Sequence, residues 1–325
     1  MKIGNIEIKK PVILAPLAGI TNLPFREICK NQGAGLVYSE MISSNGLIYN
    51  SQKTFSLLKS SDIEKPLSIQ IFGYDPEIMA DAAKIIEEKS CADIIDINMG
   101  CSVKKILKSN SGSALMKEPQ RAEKIFKKIK QTINLPLTVK IRSGWDNSGK
   151  DAFLISKIAQ DCGLDAVAIH PRTAMQGFSG EADWSLIKKI KQNLNIPVIG
   201  NGDIINYKDA LKMFEKTDCD AVMIGRAAIS NPFIFREITE ALNGKSPYEL
   251  SLETRFSLMK LYFKSTLNHF GEETGCKMMR SRLSWFVKGL PHSTFFKEKI
   301  KNVINYAQGI EIIDKYYCVL NDRLF

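Results

Sequence analysis

The chain of 325 residues lacks the residue patterns that hold metals in proteins. Its seven cysteines form no C-x-x-C pair, and its three histidines, His170, His269 and His292, are far apart in the sequence. Metal sites need closely spaced ligands, so we expect no metal. An odd number of cysteines in a long chain fits a reducing compartment, and we therefore expect a cytoplasmic protein.

Long apolar runs and an early nucleotide-binding loop are absent as well. No run of about 18 apolar residues occurs, so we expect no contact with a membrane. Residues 11–20, PVILAPLAGI, follow two lysines as in a signal peptide, but Pro11, Pro16 and Gly19 interrupt them, so they indicate a first strand. No G-x-G-x-x-G follows that strand, which argues against a doubly wound nucleotide-binding sheet.

The chain does contain a regular alternation of short apolar runs and amphipathic segments. Eight runs that end in polar or glycine residues predict strands at 12–19, 36–40, 67–73, 93–101, 137–144, 166–172, 197–203 and 221–227. Segments such as 76–89, 119–133 and 151–163 have apolar residues at helical spacing. This alternation predicts an α/β fold, a (β/α)8 TIM barrel over residues 1–242, with a doubly wound sheet as the alternative.

The pattern changes after residue 242. Residues 243–247, NGKSP, break regular structure and predict a linker. Beyond them helical spacing recurs, with Ser251 and Ser293 as predicted N-caps, over residues 251–270, 276–288, 293–306 and 309–321. We therefore predict a small all-α domain over residues 243–325.

A thiol at the end of the fourth apolar run is the first candidate for chemistry. Cys101 ends the run DIIDINMGC, and the loop that follows it is basic. Because chemistry in TIM barrels takes place at the carboxyl ends of strands, we expect Cys101 to donate a proton to a substrate that carries phosphates. A buried and inert cysteine is the alternative.

The last two strand ends predict a phosphate site. In barrels, the loops after the seventh and eighth strands commonly hold a phosphate through backbone N–H groups. Glycine allows close approach of the backbone, and an arginine adds a charged donor. The residues concerned are Asn201, Gly202, Asp203, Gly225 and Arg226. Glycines that only form tight turns are the alternative.

Polar side chains within other apolar runs extend this candidate site. Lys140 and Arg142 lie on one face of a predicted strand, and His170 and Arg172 end the next strand. We expect the arginines to meet the substrate, because each can face an anion or an aromatic ring. Gln70 is an amide where an aliphatic side chain would cost less. Salt bridges and structural roles are the alternatives for the lysine and the histidine.

Together these residues predict flavin mononucleotide (FMN) as the cofactor. The last two loops suit one terminal phosphate, and no second, adenine-binding motif is present. Lys140 would lie near the negative charge of the reduced ring, and Gln70 would bind its pyrimidine edge. The segment after the first strand would pack against the ring through Pro16, Leu17 and Ala18.

Positive charge in the helical segment favours a polyanionic partner. The net charge of the chain is +10, and residues 277–289, KMMRSRLSWFVKG, contain four positive charges and no acid. Contacts to RNA are therefore predicted for Lys277, Arg280, Arg282 and Trp285. A solvated helix face is the alternative.

Seven blocks of sequence together resemble the tRNA-dihydrouridine synthase family over essentially the full length of the chain. They are APLAGITNLPFR, QIFG, DINMGC, SGSALM, VKIRSGW, GNGDI and IGRA, in this order. Within the family the chain is similar to the bacterial DusB-like branch. The resemblance implies a flavin-dependent oxidoreductase that takes hydride from NADPH and reduces the C5–C6 bond of uridines in tRNA to 5,6-dihydrouridine.

Residue by residue, the resemblance implies that Cys101 is the proton donor and that Asn98 touches the substrate base. It places the FMN contacts on the residues identified above and implies tRNA, with no protein partner. Ala174 and Phe178 stand where the family commonly has arginine and tyrosine, so the RNA contacts there are expected to differ. The competing classes are an FMN barrel that acts on a small molecule, like dihydroorotate dehydrogenases or ene-reductases, and a non-catalytic RNA-binding barrel.

Overall fold

The computed structural model describes residues 1–146, 148–246 and 248–321, which form a ring of parallel strands with helices around and after it. The strands are β1 Lys2–Ile3, β2 Ile6–Glu7, β3 Val12–Leu14, β4 Val37–Tyr38, β5 Ile42–Ser43, β6 Leu67–Phe72, β7 Ile94–Met99, β8 Leu137–Arg142, β9 Ala166–His170, β10 Val198–Asn201 and β11 Ala221–Ile224. The helices are α1 Leu23–Asn31, α2 Ser44–Ile48, α3 Gln52–Ser56, α4 Pro76–Lys89, α5 Lys104–Leu107, α6 Pro119–Thr132, α7 Lys150–Asp161, α8 Trp184–Asn193, α9 Tyr207–Thr217, α10 Arg226–Ser230, α11 Ile234–Leu242, α12 Leu252–Phe270, α13 Glu272–Phe286, α14 Ser293–Ile300 and α15 Tyr306–Asn321.

Eight of the strands close into the predicted barrel. They pair in parallel in the order β3-β11-β10-β9-β8-β7-β6-β4, and a bridge between Ile13 and Leu36 joins the two ends. The (β/α)8 TIM barrel is therefore confirmed, and the doubly wound alternative is wrong, because an open sheet leaves its outer strands unpaired. Each strand is shorter than its apolar run, since the polar residues at the end of each run form loops at the barrel mouth.

A hairpin that the sequence did not predict covers the opposite end of the barrel. Strands β1 and β2 pair antiparallel, and Ile3 and the following Ile8 are fully buried. Both belong to the apolar cluster inside the barrel, together with Ile94 and Ala166 at the amino ends of β7 and β9. The hairpin thus covers the base of the barrel. A substrate therefore reaches the barrel from the opposite end, where the carboxyl ends of the strands lie.

The inside of the barrel changes from apolar to polar towards the mouth. Alternate residues of a strand share a face. On β7 this alternation gives Ile94 at the base, Asp96 in the middle and Asn98 near the mouth, and all three are buried. The apolar base excludes water from beneath a polar layer that hydrogen-bonds within the protein.

Four helices follow the barrel, as predicted. Ser251 caps α12, since its hydroxyl oxygen accepts a hydrogen bond from the Thr254 N–H at 3.1 Å. The second predicted cap is wrong: His292, with φ of +54°, precedes α14, and Ser293 is already its first residue. The chain turns one residue earlier than expected, so the Ser293 backbone is helical. Among the described residues, no helix combines the length and apolar character needed to cross a membrane.

The four helices pack against one side of the barrel. Helix α12 contacts α1, and α13 contacts α10. The rings of Phe25 and Tyr262 lie 5.6 Å apart between their centroids, and one continuous apolar cluster contains side chains from both parts. Helix α11 ends at the predicted boundary, Leu242, but the division into two domains stays a prediction. Pro247 of the predicted linker lies outside the described residues.

A buried ion pair joins α1 to the segment before β6. Arg26 and Glu64 are 2% and 0% exposed, and Arg26 Nε lies 2.5 Å from Glu64 Oε2. The guanidinium also donates hydrogen bonds to the carbonyl oxygens of Thr21 and Lys59, each at 2.9 Å. Removing the carboxylate would leave a buried cation without its counter-charge, which costs more than the pair contributes.

We expect Glu64→Ala to lower the free energy of unfolding by about 3–5 kcal/mol. The matched control is Glu123→Ala, which removes the exposed Lys127–Glu123 pair and should cost less than about 1 kcal/mol. Urea denaturation followed by circular dichroism measures both losses. Equal losses for the two variants would contradict the role of the buried pair.

Candidate active site

Asn98 and Cys101 form a tight corner where β7 ends at the mouth. The Asn98 side-chain oxygen accepts hydrogen bonds from the Cys101 N–H at 3.0 Å and the Gly100 N–H at 3.3 Å. The Cys101 carbonyl accepts from the N–H and the hydroxyl of Ser113, at 2.9 and 3.0 Å. The thiol is therefore carried by a turn that is held on both sides.

The Cys101 thiol suits a proton donor better than a nucleophile. Partial burial raises its pKa, although the Val103 N–H and the charges of Arg142 and Lys140 oppose that effect. A thiol with a raised pKa keeps its proton at neutral pH and can deliver it to a carbanion-like atom. Its half-buried position leaves it within reach of a ligand in the mouth.

Lys140 lies beside this corner on the next strand. It is paired in register with Asn98 across β7 and β8. Burial and then the neighbouring charge of Arg142 lower the pKa of Lys140 to about 8, while Asp96 opposes them. Within the described ranges, its ammonium has no hydrogen-bond or ion-pair partner. A partly buried ammonium without a partner is costly, so this position fits an acceptor group on a ligand.

His170 is neutral at the end of β9. It is 7% exposed, and burial, followed by the charges of Lys140, Arg142, Arg172 and Arg226, holds its pKa well below the usual range. A neutral imidazole has one donor and one acceptor nitrogen, so His170 can hydrogen-bond a ligand without adding charge.

The five residues predicted to bind phosphate lie at or directly after the carboxyl ends of β10 and β11. Asn201 donates a hydrogen bond to the Met223 carbonyl at 2.7 Å and so joins the two strands. Gly202 has φ of +122°, and a Cβ there would lie 2.9 Å from the His170 ring. Arg226 begins α10 after Gly225 and lies 3.7 Å from Asp203. Its guanidinium is 55% exposed and remains available to an anion.

The structure surrounds the Arg172 guanidinium with partners within the protein. All its N–H groups have protein partners: two bonds to Asp203 at 2.7 and 2.8 Å, contacts to the carbonyls of Ser179 and Gly180, and a contact to His170 at 3.4 Å. With 2% exposure, Arg172 holds the loop after β9, and its predicted contact with a substrate stays a prediction. Sequence could not show these partners, because the loop carbonyls approach Arg172 only in the folded chain.

Arg142, like Arg172, donates hydrogen bonds to backbone carbonyls of the loop after β9. Its Nε donates to the Gly100 carbonyl, and Nη1 donates to the carbonyls of Thr173 and Gly177, each at 2.8 Å. These bonds hold the loop after β9 against the turn that carries Cys101. Among the described residues, the second terminal nitrogen of Arg142 has no such bond, and a substrate contact by Arg142 stays a prediction.

The segment after β3 forms the rim of the mouth next to β11. The Ala15 N–H donates to the Ile224 carbonyl at 2.9 Å, and the Leu17 N–H donates to the Thr21 hydroxyl at 3.1 Å. Pro16 and Leu17 are half-buried, and Ala18 is exposed. This rim is open to a ring in the mouth, and its contact with a cofactor stays a prediction.

Asp96 is a buried polar residue that the sequence analysis missed. Its carboxylate accepts hydrogen bonds from the Gln70 amide and the Thr138 hydroxyl, both at 2.6 Å. Burial raises the pKa of Asp96 to about 6, although these two bonds oppose the shift. An acid inside the apolar run 93–101 is the same signal that identified Lys140. Gln70 also accepts from Asn98 at 2.7 Å, so both ends of its amide have protein partners.

Two of the residues predicted to contact RNA on α13 have hydrogen-bond partners within the protein. Arg282 is 3% exposed and donates to the Tyr262 hydroxyl at 2.9 Å and to the Gly19 carbonyl at 2.5 Å. Arg280 donates to the Val303 carbonyl at 3.1 and 2.9 Å. The buried guanidinium of Arg282 joins α13 to the rim of the barrel, and its contact with RNA stays a prediction.

The remaining predictions on α13 are not contradicted. Lys277 is exposed, and it pairs with Glu273 one turn earlier at 2.5 Å. The segment 277–289 contains no acid, but Glu273, four residues before Lys277 on the same helix face, supplies a counter-charge. Trp285 is half-buried, and its contact with RNA stays a prediction, like that of Lys277.

Comparison with known proteins agrees with this arrangement. The family model for dihydrouridine synthase (Dus) matches residues 13–318. The chain is 38% identical over 327 residues to the probable tRNA-dihydrouridine synthase of Rickettsia bellii (strain RML369-C), covering 99% of both chains. It is 40% identical over 318 residues to tRNA-dihydrouridine synthase B of Vibrio vulnificus (strain CMCP6), covering 98% of both.

Solved structures with low identity share the barrel fold. Histamine dehydrogenase from Rhizobium sp. 4-9 superposes with a TM-score of 0.60 at 15% identity, over 81% of this chain and 50% of that one. An old yellow enzyme homologue from Zymomonas mobilis superposes with a TM-score of 0.55 at 15% identity, over 78% of this chain and 94% of that one. At this identity the likeness concerns the fold alone.

The raised pKa of Cys101 has a direct consequence for its alkylation. Because iodoacetamide reacts with the thiolate, the pH midpoint of alkylation should lie above the value of about 8.5 for an unperturbed cysteine. Peptide mass spectrometry after short exposures between pH 6 and about 10.5 follows Cys101 separately from the other thiols. A midpoint at or below that reference would show that the cations outweigh burial.

Proposed function

Since the chain belongs to the dihydrouridine synthase family, we propose that this enzyme reduces the C5–C6 double bond of specific uridines in tRNA to 5,6-dihydrouridine, with FMN as cofactor and NADPH as reductant. The observation that carries the proposal is the meeting of three groups at one mouth. The protonated thiol of Cys101, the amide of Asn98 and the unpartnered ammonium of Lys140 adjoin there. A proton donor, a polar contact and a cation are what reduction of a uracil ring requires.

The residues of the mouth fit FMN. The Lys140 ammonium can donate a hydrogen bond to an acceptor atom of the cofactor, and the half-exposed Arg226 guanidinium can bind an anion. The phosphate would be held by Asn201, Gly202, Gly225 and Arg226, with Asp203 orienting Arg226, and the ring by Lys140, His170 and Gln70 beside the rim of Pro16, Leu17 and Ala18. When bound and reduced, the flavin supplies the hydride that goes to C6 of the uracil.

Cys101 supplies the second hydrogen. Its Sγ holds a proton at neutral pH and gives that proton to C5 of the base, where negative charge builds after C6 has received hydride. Asn98 keeps the thiol in place through the Cys101 N–H. To reach this mouth a uridine must leave its stack, which costs least in a loop of folded RNA.

The charge around the mouth supports tRNA as substrate. Three cations are exposed and can contact RNA phosphates: Arg226 at the mouth, and Lys277 and Lys288 in the helical part of the chain. The cysteines are free thiols, as in a reducing compartment, which supports a cytoplasmic enzyme.

A tRNA assay with Cys101→Ala tests the reaction. The wild-type protein with FMN and NADPH should form dihydrouridine in unmodified tRNA, measured by nucleoside mass spectrometry. Cys101→Ala should slow oxidation of the reduced flavin by tRNA about 10²–10⁴-fold, because it lacks the acid, yet accept hydride from NADPH normally. Cys162→Ala, which changes a part-buried thiol on the helical layer, is the control. No dihydrouridine with the wild type would refute the function; normal turnover by Cys101→Ala would refute only the acid.

Cofactor affinity tests the phosphate site. Arg226→Ala removes a charge-assisted donor and should weaken FMN binding by about 1.5–3 kcal/mol, which is roughly a tenfold to 150-fold rise in Kd. Quenching of flavin fluorescence measures that Kd. Arg236→Ala on α11 removes an arginine that pairs with Glu240 on the helix surface, and should leave the Kd unchanged. Similar losses in both variants would contradict the assignment.

A further inference from the structure

A chain of hydrogen bonds leads from the middle of the barrel to the turn that carries Cys101. It begins at Asp96, which is 0% exposed and contacts neither the mouth nor the solvent. Asp96 Oδ2 accepts from Gln70 Nε2 at 2.6 Å, and Gln70 Oε1 accepts from Asn98 Nδ2 at 2.7 Å. Asn98 Oδ1 then accepts from the Cys101 N–H at 3.0 Å.

The direction of this chain is determined by the charge at its start. An ionised carboxylate only accepts hydrogen bonds, so Gln70 must turn its NH2 group towards Asp96. The Gln70 oxygen then faces Asn98, which must present its own NH2 group to Gln70. Only in that orientation does the Asn98 oxygen face the backbone N–H groups of Gly100 and Cys101. An Asn98 amide turned the other way would place two donors against each other.

We propose that Asp96 is a positioning residue for Cys101: through Gln70 and Asn98 it orients both amides and holds the turn that presents the thiol. The inference rests on the proposed function only in taking Cys101 as the proton donor. Asp96 itself touches neither the base nor the cofactor. Its effect is on where the thiol lies, and displacements near 1 Å are enough to slow a reaction by about 10²-fold.

The surroundings of Asp96 keep it in the form that the chain needs. Burial raises its pKa to about 6, and the bonds from Gln70 and Thr138 and the charge of Lys140 limit that rise. At neutral pH the group is therefore mostly a carboxylate. Thr138 occupies the second oxygen, Oδ1, at 2.6 Å and leads away from Cys101. Thr138 is thus a buried partner of Asp96 that lies outside the chain to the thiol.

The first test follows Cys101 without any turnover. Asp96→Leu breaks the chain, so the turn should loosen and alkylation of Cys101 by iodoacetamide should accelerate on the order of tenfold, with or without FMN. Asp96→Asn should react near the wild-type rate, because its amide oxygen still accepts from Gln70 while the Thr138 hydroxyl turns to accept. Thr138→Val is the matched control and should also leave the rate near that of the wild type.

The other cysteines separate positioning from loss of the fold. Cys29, Cys219 and Cys276 are buried and should stay unreactive in every variant, as mapped by peptide mass spectrometry. An equal gain of reactivity at these three thiols would show that Asp96 only stabilises the barrel and would overturn the proposal. If Asp96→Leu does not fold, Gln70→Met is the second variant. It removes the amide between Asp96 and Asn98 and should accelerate the alkylation of Cys101 to a similar extent.

The second test separates the two half-reactions. With Asp96→Leu, oxidation of the reduced flavin by tRNA should slow by about 10²-fold, a much larger factor than any change in the rate of flavin reduction by NADPH. Unchanged alkylation and unchanged flavin oxidation in folded Asp96→Leu would overturn the proposal. A wild-type protein that forms no dihydrouridine would instead refute the proposed function, and the alkylation test of the chain would still apply.

Discussion

Parallel pairing of eight strands in one closed ring is the constraint on which the site depends. In such a ring every carboxyl end opens to the same mouth, and the backbone hydrogen bonds that close it leave no strand edge free. Residues from β7, β8, β9, β10 and β11, spread over more than a third of the chain, therefore meet within one opening. The hairpin before β3 adds to this constraint by covering the apolar base of the barrel.

Positive charge collects at this mouth, and the protein uses its cations in two ways. Arg172, and in large part Arg142, bind carbonyls of the loop after β9, with Asp203 as the counter-charge of Arg172. Lys140 and Arg226 are left with few or weak partners. The first two shape the walls, and the last two are free for anionic groups. Burial, and after it these positive charges, lowers the pKa of His170, so its neutral ring does not add to the repulsion between the cations.

The four helices α12–α15 contact the rim of the barrel through buried side chains. Arg282 reaches from α13 to the Gly19 carbonyl on the rim after β3, and the ring of Tyr262 packs on Phe25 of α1. A movement of the helices α12–α15 would therefore displace the segment after β3, which borders the proposed flavin site. This contact therefore couples the position of α13 to that of the rim after β3, in addition to burying apolar surface.

The apolar periodicity of the sequence alone determined the eight strands, the helices between them and the four helices after them, because burial acts on local patterns. Strand-end position also predicted that Cys101, Lys140, His170 and the loops after β10 and β11 lie at one mouth. Which partner each polar group takes was decided only by the tertiary structure. Arg172, Arg282 and Asp96 have partners 31, 263 and 26 positions away, in Asp203, Gly19 and Gln70, and no local pattern encodes such a pairing. A charged side chain in the sequence thus indicates a site, whereas folding determines whether its charge meets a ligand or the protein itself.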